Sequence, residues 1–118
     1  MSRRTERLNV LFRQELSDLI RLELRDPRLS GIVSLTRVEV SPDLENGTVF
    51  VSVLGDDESK KSSLRALSAA APFLRRHLID RIRIRRVPNL HFVLDESIEE
   101  AARILDLMKK VSPKDTSV

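Results

Sequence analysis

Arginine dominates the chemistry that this sequence can carry out. Residues 75–86 hold six arginines against one acid, Asp80, which gives that segment a net charge of +5. Residues 1–13 carry +3, and the rest of the 118-residue chain sums to −5. A planar guanidinium binds phosphate through two parallel hydrogen bonds, so a basic region on an otherwise acidic small protein indicates a polyanionic ligand. The candidate phosphate-binding residues are Arg75, Arg76, Arg81, Arg83, Arg85 and Arg86, extended by Arg3, Arg4 and Arg7.

The alternative interpretation is that these arginines are solvated and paired with local acids. It explains Arg21 and Arg103, which have an acid three or four residues away. It fails for residues 81–86, where Asp80 is the only acid close in sequence. The sequence leaves open whether the two basic segments share one face.

Aromatic residues are scarce, at 3% of the chain: Phe12, Phe50, Phe73 and Phe92, with no Trp or Tyr. Proteins that hold single-stranded nucleic acid stack its bases on several exposed rings. We therefore expect recognition of the backbone and shape of a folded RNA, with little reading of bases.

The residues needed for catalysis are missing, so we expect neither enzymatic activity nor a cofactor or metal. No cysteine is present, and His77 and His91 are too far apart in sequence for a ligand motif. The acidic loop 56–58 lacks the calcium-loop pattern, and three glycines cannot build a phosphate-binding loop. No apolar run could span a membrane and no secretory leader is visible, so we expect a cytoplasmic protein.

Hydrophobic spacing predicts the elements that must position the arginines. Helical spacing of apolar residues covers 5–24, 60–80 and a last helix from residue 97; alternation predicts strands at 32–40, 48–54 and 90–94. Val33 and Leu35 are out of phase with Val38 and Val40, which indicates a bulge or burial on both faces. We expect one α+β domain, residues 1–110, with helices packed on one face of a three-stranded sheet, and a disordered tail at 111–118.

Pro72 interrupts the helical pattern of residues 60–80. A proline inside a helix costs about 3 kcal/mol or more. We therefore expect a break or kink at Ala70-Ala71, with Pro72 opening a second piece, so that two helices cover roughly 58–70 and 72–80.

A kinked helix pair beside a three-stranded sheet is similar to KH RNA-binding domains, although the GXXG loop of those domains is absent here. Four segments in order resemble the bacterial ribosome-binding factor A family. They are Asp26-Pro27-Arg28-Leu29, residues 38–44, Ala70-Ala71-Pro72-Phe73-Leu74-Arg75 and residues 78–95. The resemblance covers about residues 3–110.

This resemblance implies a KH-type-II-like fold in which the interhelical kink Ala70-Ala71-Pro72 replaces the GXXG loop, with proline at the family's glycine position. It also implies binding to the immature small (30S) ribosomal subunit and its 16S rRNA, support of late maturation and 5′-end processing, cold adaptation, and release by a ribosome-associated GTPase. We expect a monomer. Two alternatives remain: a generic KH-like RNA-binding module without ribosome specificity, and a protein–protein adaptor that uses the apolar N-terminal helix.

Overall fold

Three helices and three strands alternate along the part of the chain that the computed structural model describes, residues 3–24, 32–84 and 86–116. They are α1 (Arg3–Glu23), β1 (Ile32–Val40), β2 (Asn46–Leu54), α2 (Asp57–Arg81), β3 (Asn89–Leu94) and α3 (Ser97–Thr116). Arg85 and the segment Asp26-Pro27-Arg28-Leu29 lie outside the described residues. The three predicted strands are confirmed at nearly the predicted bounds.

The sheet has the order β1-β2-β3. β1 pairs antiparallel with β2 across a short loop, whereas β3 pairs parallel with β2, so the chain must cross over through α2 between them. Val38, Val49 and Phe92 lie side by side in this register and are all buried. Alternate residues of each strand therefore line one apolar face.

The phase change predicted in β1 is a bulge. The register with β2 shifts between Leu35 and Arg37, so that Leu35 and Val38 are both buried despite their odd separation. Thr36 is the inserted residue, and its hydroxyl donates to Asp95 Oδ2 at 2.7 Å. The bulge alternative is confirmed, and it links β1 to the end of β3.

The core lies between one face of the sheet and two helices. α1 contributes Phe12, Leu16 and Leu19, and α2 contributes Leu67, Leu74 and Leu78, all buried against the valines of the strands. Asn9 Oδ1 accepts a hydrogen bond from the Val40 backbone N–H at 3.0 Å, which fixes α1 along β1. The α+β class is confirmed, with α1 and α2 on the same face.

The prediction of two separate helices around Pro72 is wrong. α2 is one helix from Asp57 to Arg81 with Pro72 inside it. Leu67 lies before the proline and Leu74 and Leu78 after it, all on the buried face. Burying each of these side chains is worth about 1.5–3 kcal/mol, which outweighs a proline penalty of about 3 kcal/mol. Pro72 itself is exposed, so the proline interrupts the hydrogen bonding of the helix only on its outer side.

α3 follows β3 without packing on the sheet. Its side chains from residue 97 to 110 are exposed, including those of Ile98, Leu105 and Met108. The helix continues to Thr116, so residues 111–116 are helical where the sequence predicts a disordered tail; the domain boundary at residue 110 stays a prediction. Within the described residues, no helix combines the length and apolar content needed to cross a membrane.

Candidate nucleic-acid interface

The segment between α2 and β3 exposes arginines between apolar anchors. Ile82 continues the helical hydrogen bonding by donating to the Leu78 carbonyl at 2.8 Å, and its side chain is buried. Val87 is buried at the other end of the segment. Arg83 and Arg86 lie between these two anchors and are exposed. The buried anchors therefore hold the segment so that both arginines face solvent, although it forms no strand.

A hydrogen bond from Arg75 connects this segment to α2. Its Nε donates to the Val87 carbonyl at 3.0 Å, and the side chain is half-buried. On β2, Gly47 packs against the Pro88 ring. A Cβ added to Gly47 would stand 3.3 Å from that ring, so the absence of a side chain permits the close approach of β2 to Pro88. The backbone around Val87 and Pro88 is thus held against both α2 and β2.

Three adjoining cavities form a continuous depression, which we call the basic groove. The first, of about 530 Å³, lies beside Pro72 and includes Arg75, Arg76 and Asn89. The second, of about 350 Å³, shares Arg75 and Asn89 with the first and adds Arg86. The third, of about 400 Å³, shares Arg86 and extends to α1. Shared lining residues make the three cavities neighbours along one surface.

The two basic segments of the sequence meet in this groove. Arg4 and Arg7 of α1 line the third cavity together with Arg86. The floor there is apolar, from Leu8, Leu11, Leu44 and Ile84. The structure therefore answers the question that the sequence left open: part of the N-terminal cluster shares a face with the main one.

Not every predicted arginine lines the groove. Arg3 lines a further depression, which shares Arg7 with the third cavity and so adjoins the groove, but Arg3 is not part of the groove's own lining. Arg81 pairs with Glu15 of α1, and its Nη1 lies 3.4 Å from the carboxylate. Arg83 is exposed beside the groove, and Arg85 lies outside the described residues.

Two acidic residues that are distant in sequence lie next to the arginine cluster in the fold. Glu15 pairs with Arg81, and Glu45 stands 3.5 Å from Arg86. The inference that residues 81–86 lack acidic partners apart from Asp80 is therefore wrong for Arg81 and Arg86, since the chain brings remote acids to them. Arg76 and Arg83, like Arg4 and Arg7, are exposed and form no ion pair with a described residue, so these four are the cations at the groove most available to a ligand.

A hydrogen-bonded loop between β1 and β2 presents Glu45 to the groove. Ser41 Oγ donates to Asp43 Oδ1 at 2.6 Å, and the Glu45 N–H donates to the same oxygen at 3.0 Å. These bonds, the Ser41 hydroxyl foremost, hold the pKa of Asp43 below its usual value. Leu44 adopts a left-handed φ of 61°, which is unusual for a leucine and turns the loop tightly.

The two histidines have separate surroundings. The His77 ring contacts Phe73 with centroids 4.3 Å apart, one helical turn away on α2. His91 Nε2 lies 2.9 Å from Asn46 Oδ1 on the exposed side of the sheet. Neither histidine lines the groove, so its donors for phosphate oxygens are mainly arginine and asparagine side chains, with Glu45 as the acid among them.

Comparison with known proteins gives consistent matches over nearly the whole chain. The family model described as ribosome-binding factor A matches residues 4–108. Ribosome-binding factor A of Acetivibrio thermocellus is 45% identical over 109 residues, which cover 92% of this chain and 89% of that protein.

Solved structures agree with this match. The crystal structure of ribosome-binding factor A from Thermus thermophilus superposes with a TM-score of 0.70 at 30% identity, covering 79% of this chain and 97% of that one. A second comparison is a homology model of the Thermus thermophilus factor fitted into a cryo-electron-microscopy map of its 30S complex. It has a TM-score of 0.62 at 31% identity, covering 75% of this chain and 91% of that one. The KH-like fold expected from the sequence is confirmed.

Proposed function

Because the chain belongs to the ribosome-binding factor A family, we propose that it binds the immature small (30S) ribosomal subunit and supports late maturation of 16S rRNA, including processing of the 5′ end. The observation that carries this proposal is the similarity to the Thermus thermophilus factor placed in a 30S complex. The basic groove supports it, because five of the nine predicted arginines line one surface: Arg4, Arg7, Arg75, Arg76 and Arg86.

The groove is the RNA-binding surface in this proposal, with Arg83 at its side. Its arginines grip phosphates of folded RNA, and the absence of aromatic rings from its described lining disfavours stacking on loose strands. The protein acts by binding and not by catalysis.

The proposal also covers where and when the protein acts. It works in the cytoplasm as a monomer and aids growth in the cold. A ribosome-associated GTPase releases it from the small subunit.

Salt dependence tests the mechanism. Six arginines that each neutralise one phosphate give a log–log slope of affinity against salt of about −4 to −5, at roughly −0.7 to −0.9 per contact. Co-sedimentation with small subunits from cells that lack the protein, measured from low to moderate salt, gives this slope. A flat response would contradict the arginine mechanism.

Two further measurements separate ribosome assembly from generic RNA binding. Cells without the protein should accumulate 16S rRNA with an unprocessed 5′ end, most strongly in the cold, and the wild-type chain should restore processing. Free RNA or DNA that competes as well as immature subunits would instead favour a generic KH-like module.

A further inference from the structure

Pro72 leaves a backbone acceptor without its usual helical donor at the first cavity of the basic groove. In an α-helix the N–H of each residue donates to the carbonyl four residues earlier. Proline has no N–H, so Pro72 cannot donate to the Ser68 carbonyl. Ser68 and Pro72 are both exposed, and both line the cavity of about 530 Å³. The Ser68 carbonyl thus lacks its usual helical partner on the side of α2 that lines this cavity.

Phosphate-binding groups surround this acceptor. Arg75 and Arg76 follow Pro72 by three and four residues, which places them on the same side of α2. Both line the same cavity, and the Asn89 side chain completes its wall. An RNA phosphate held by these arginines brings its own nucleotide next to the Ser68 carbonyl.

The chemistry of the acceptor selects the ligand group. Phosphate oxygens only accept hydrogen bonds, so they cannot pair with a carbonyl. A ribose 2′-hydroxyl is a donor that adjoins a phosphate in every ribonucleotide. A splayed base would need a stacking partner, and none of the described residues lining this cavity has an aromatic ring. Of the RNA groups, the ribose 2′-hydroxyl is therefore the donor that best fits the Ser68 carbonyl.

We propose that the Ser68 carbonyl, freed by Pro72, accepts a hydrogen bond from a ribose 2′-hydroxyl of the bound RNA. This proposal rests on the proposed function and deepens it, because it gives the groove a means of preferring RNA to DNA. The proline that interrupts the helical hydrogen bonding is then part of the binding site.

The test restores the missing N–H. Pro72→Ala and Pro72→Gly both supply a donor to the Ser68 carbonyl; alanine favours a straight helix, whereas glycine leaves it weak. The probe is the rRNA fragment that the protein protects from nuclease on the small subunit, made as RNA and with single 2′-deoxy substitutions. We expect both variants to bind the RNA about threefold to tenfold more weakly than wild type, the usual range for one hydrogen bond.

The decisive comparison combines the Pro72 variants with the 2′-deoxy RNAs. At one position, removing the 2′-hydroxyl should weaken wild-type binding about threefold to tenfold, as the Pro72 substitutions do. The same 2′-deoxy RNA should bind both variants as well as the unmodified RNA does. Wild-type affinity in both variants, loss in Pro72→Ala alone, or an equal 2′-deoxy effect in all three proteins would overturn the proposal.

Two controls isolate the carbonyl from folding and from the arginines. Pro72→Ala should melt at a higher temperature than wild type, so weaker binding cannot come from unfolding. Ser68→Ala keeps the carbonyl and should bind as wild type; a loss as large as that of Pro72→Ala would instead assign the contact to the hydroxyl and overturn the proposal. If Arg76→Glu also left binding intact, the groove itself, and with it the proposed function of this surface, would fail.

Discussion

The two ends of α2 use positive charge in opposite ways. Near its start, Lys60 Nζ donates to both oxygens of Glu99 at 2.7 and 2.6 Å, and the lysine side chain is only 9% exposed. Beyond its end, Arg86 stands 3.5 Å from Glu45, and their side chains are 58% and 60% exposed. The first pair joins α2 to α3, whereas the second leaves a cation facing the groove.

This difference separates charge that holds the fold from charge that can bind a ligand. The hydrogen bond to Glu99 raises the pKa of the Lys60 ammonium, so the lysine stays charged and paired with Glu99. Exposed and loosely held pairs contribute little to stability. Arg86 can therefore exchange Glu45 for a phosphate at small cost, and Arg76 and Arg83 have no ion pair to give up among the described residues.

Reversing the two unpaired arginines nearest the end of α2 should produce the largest effect. Each charge-assisted hydrogen bond is worth about 1.5–3 kcal/mol, so Arg76→Glu with Arg83→Glu should weaken binding to immature small subunits by about 100-fold or more. The melting temperature should stay close to that of wild type, because both side chains are exposed. Co-sedimentation and thermal unfolding give the two readouts.

A matched variant removes the same charge elsewhere. Arg103 and Lys109 are exposed on α3, outside the lining of the groove. Arg103→Glu with Lys109→Glu changes the net charge equally and should weaken binding far less. Equal losses in the two double variants would mean that overall charge, and not the groove, drives association.

Weakening the pair at the start of α2 should affect stability and leave binding intact. Glu99→Gln removes the charge that compensates Lys60, whose side chain is nearly buried. We expect a lower melting temperature and faster amide exchange in α3, with unchanged affinity for small subunits. Glu100→Gln, an exposed neighbour, is the control and should alter neither. A binding defect specific to Glu99→Gln would place α3 in the interface.

The sequence predicted the strands and the charge of the site better than the pairing of its charges. Alternation located all three strands and indicated the bulge beside Thr36, because strand periodicity is a local property. The pairs Arg81–Glu15 and Arg86–Glu45 join residues far apart in the chain. No local pattern encodes them, so a count of nearby acids overestimated the unpaired charge.

The continuity of α2 shows the same limit in the helices. Local propensity correctly marks Pro72 as unfavourable in a helix. The outcome depends on buried leucines on both sides of the proline, and their partners in α1 and the sheet are known only from the fold. The reverse holds for α3, whose apolar spacing predicts an amphipathic helix although the described side chains from 97 to 110 remain exposed.

Acid should weaken the junction between β3 and α3. Hydrogen bonds from Ser97, and then from Thr36, hold the pKa of Asp95 at about 2, against an ordinary value of 3.8. The ionised carboxylate therefore stabilises the fold above about pH 4, and this contribution is lost as the pH falls towards 2. In melting curves from pH 5 to 2, Asp95→Asn should start lower and decline less than wild type. Parallel declines would show that other carboxylates govern acid unfolding.

Removing the acid from the groove should give the smallest change and the opposite sign. Glu45 lines the second cavity together with Arg75 and Arg86, and its carboxylate, 3.5 Å from Arg86, competes with phosphate for that arginine. An exposed pair is worth up to about 1 kcal/mol, so Glu45→Gln should tighten binding to small subunits about twofold to fivefold. Glu39→Gln is the matched control, because Glu39 pairs at 3.3 Å with Arg37, a residue outside the groove, and both are comparably exposed. Weaker binding by Glu45→Gln would show that Glu45 positions Arg86 for the RNA instead of competing with it, and the loose pair would then belong with the structural charges at the other end of α2.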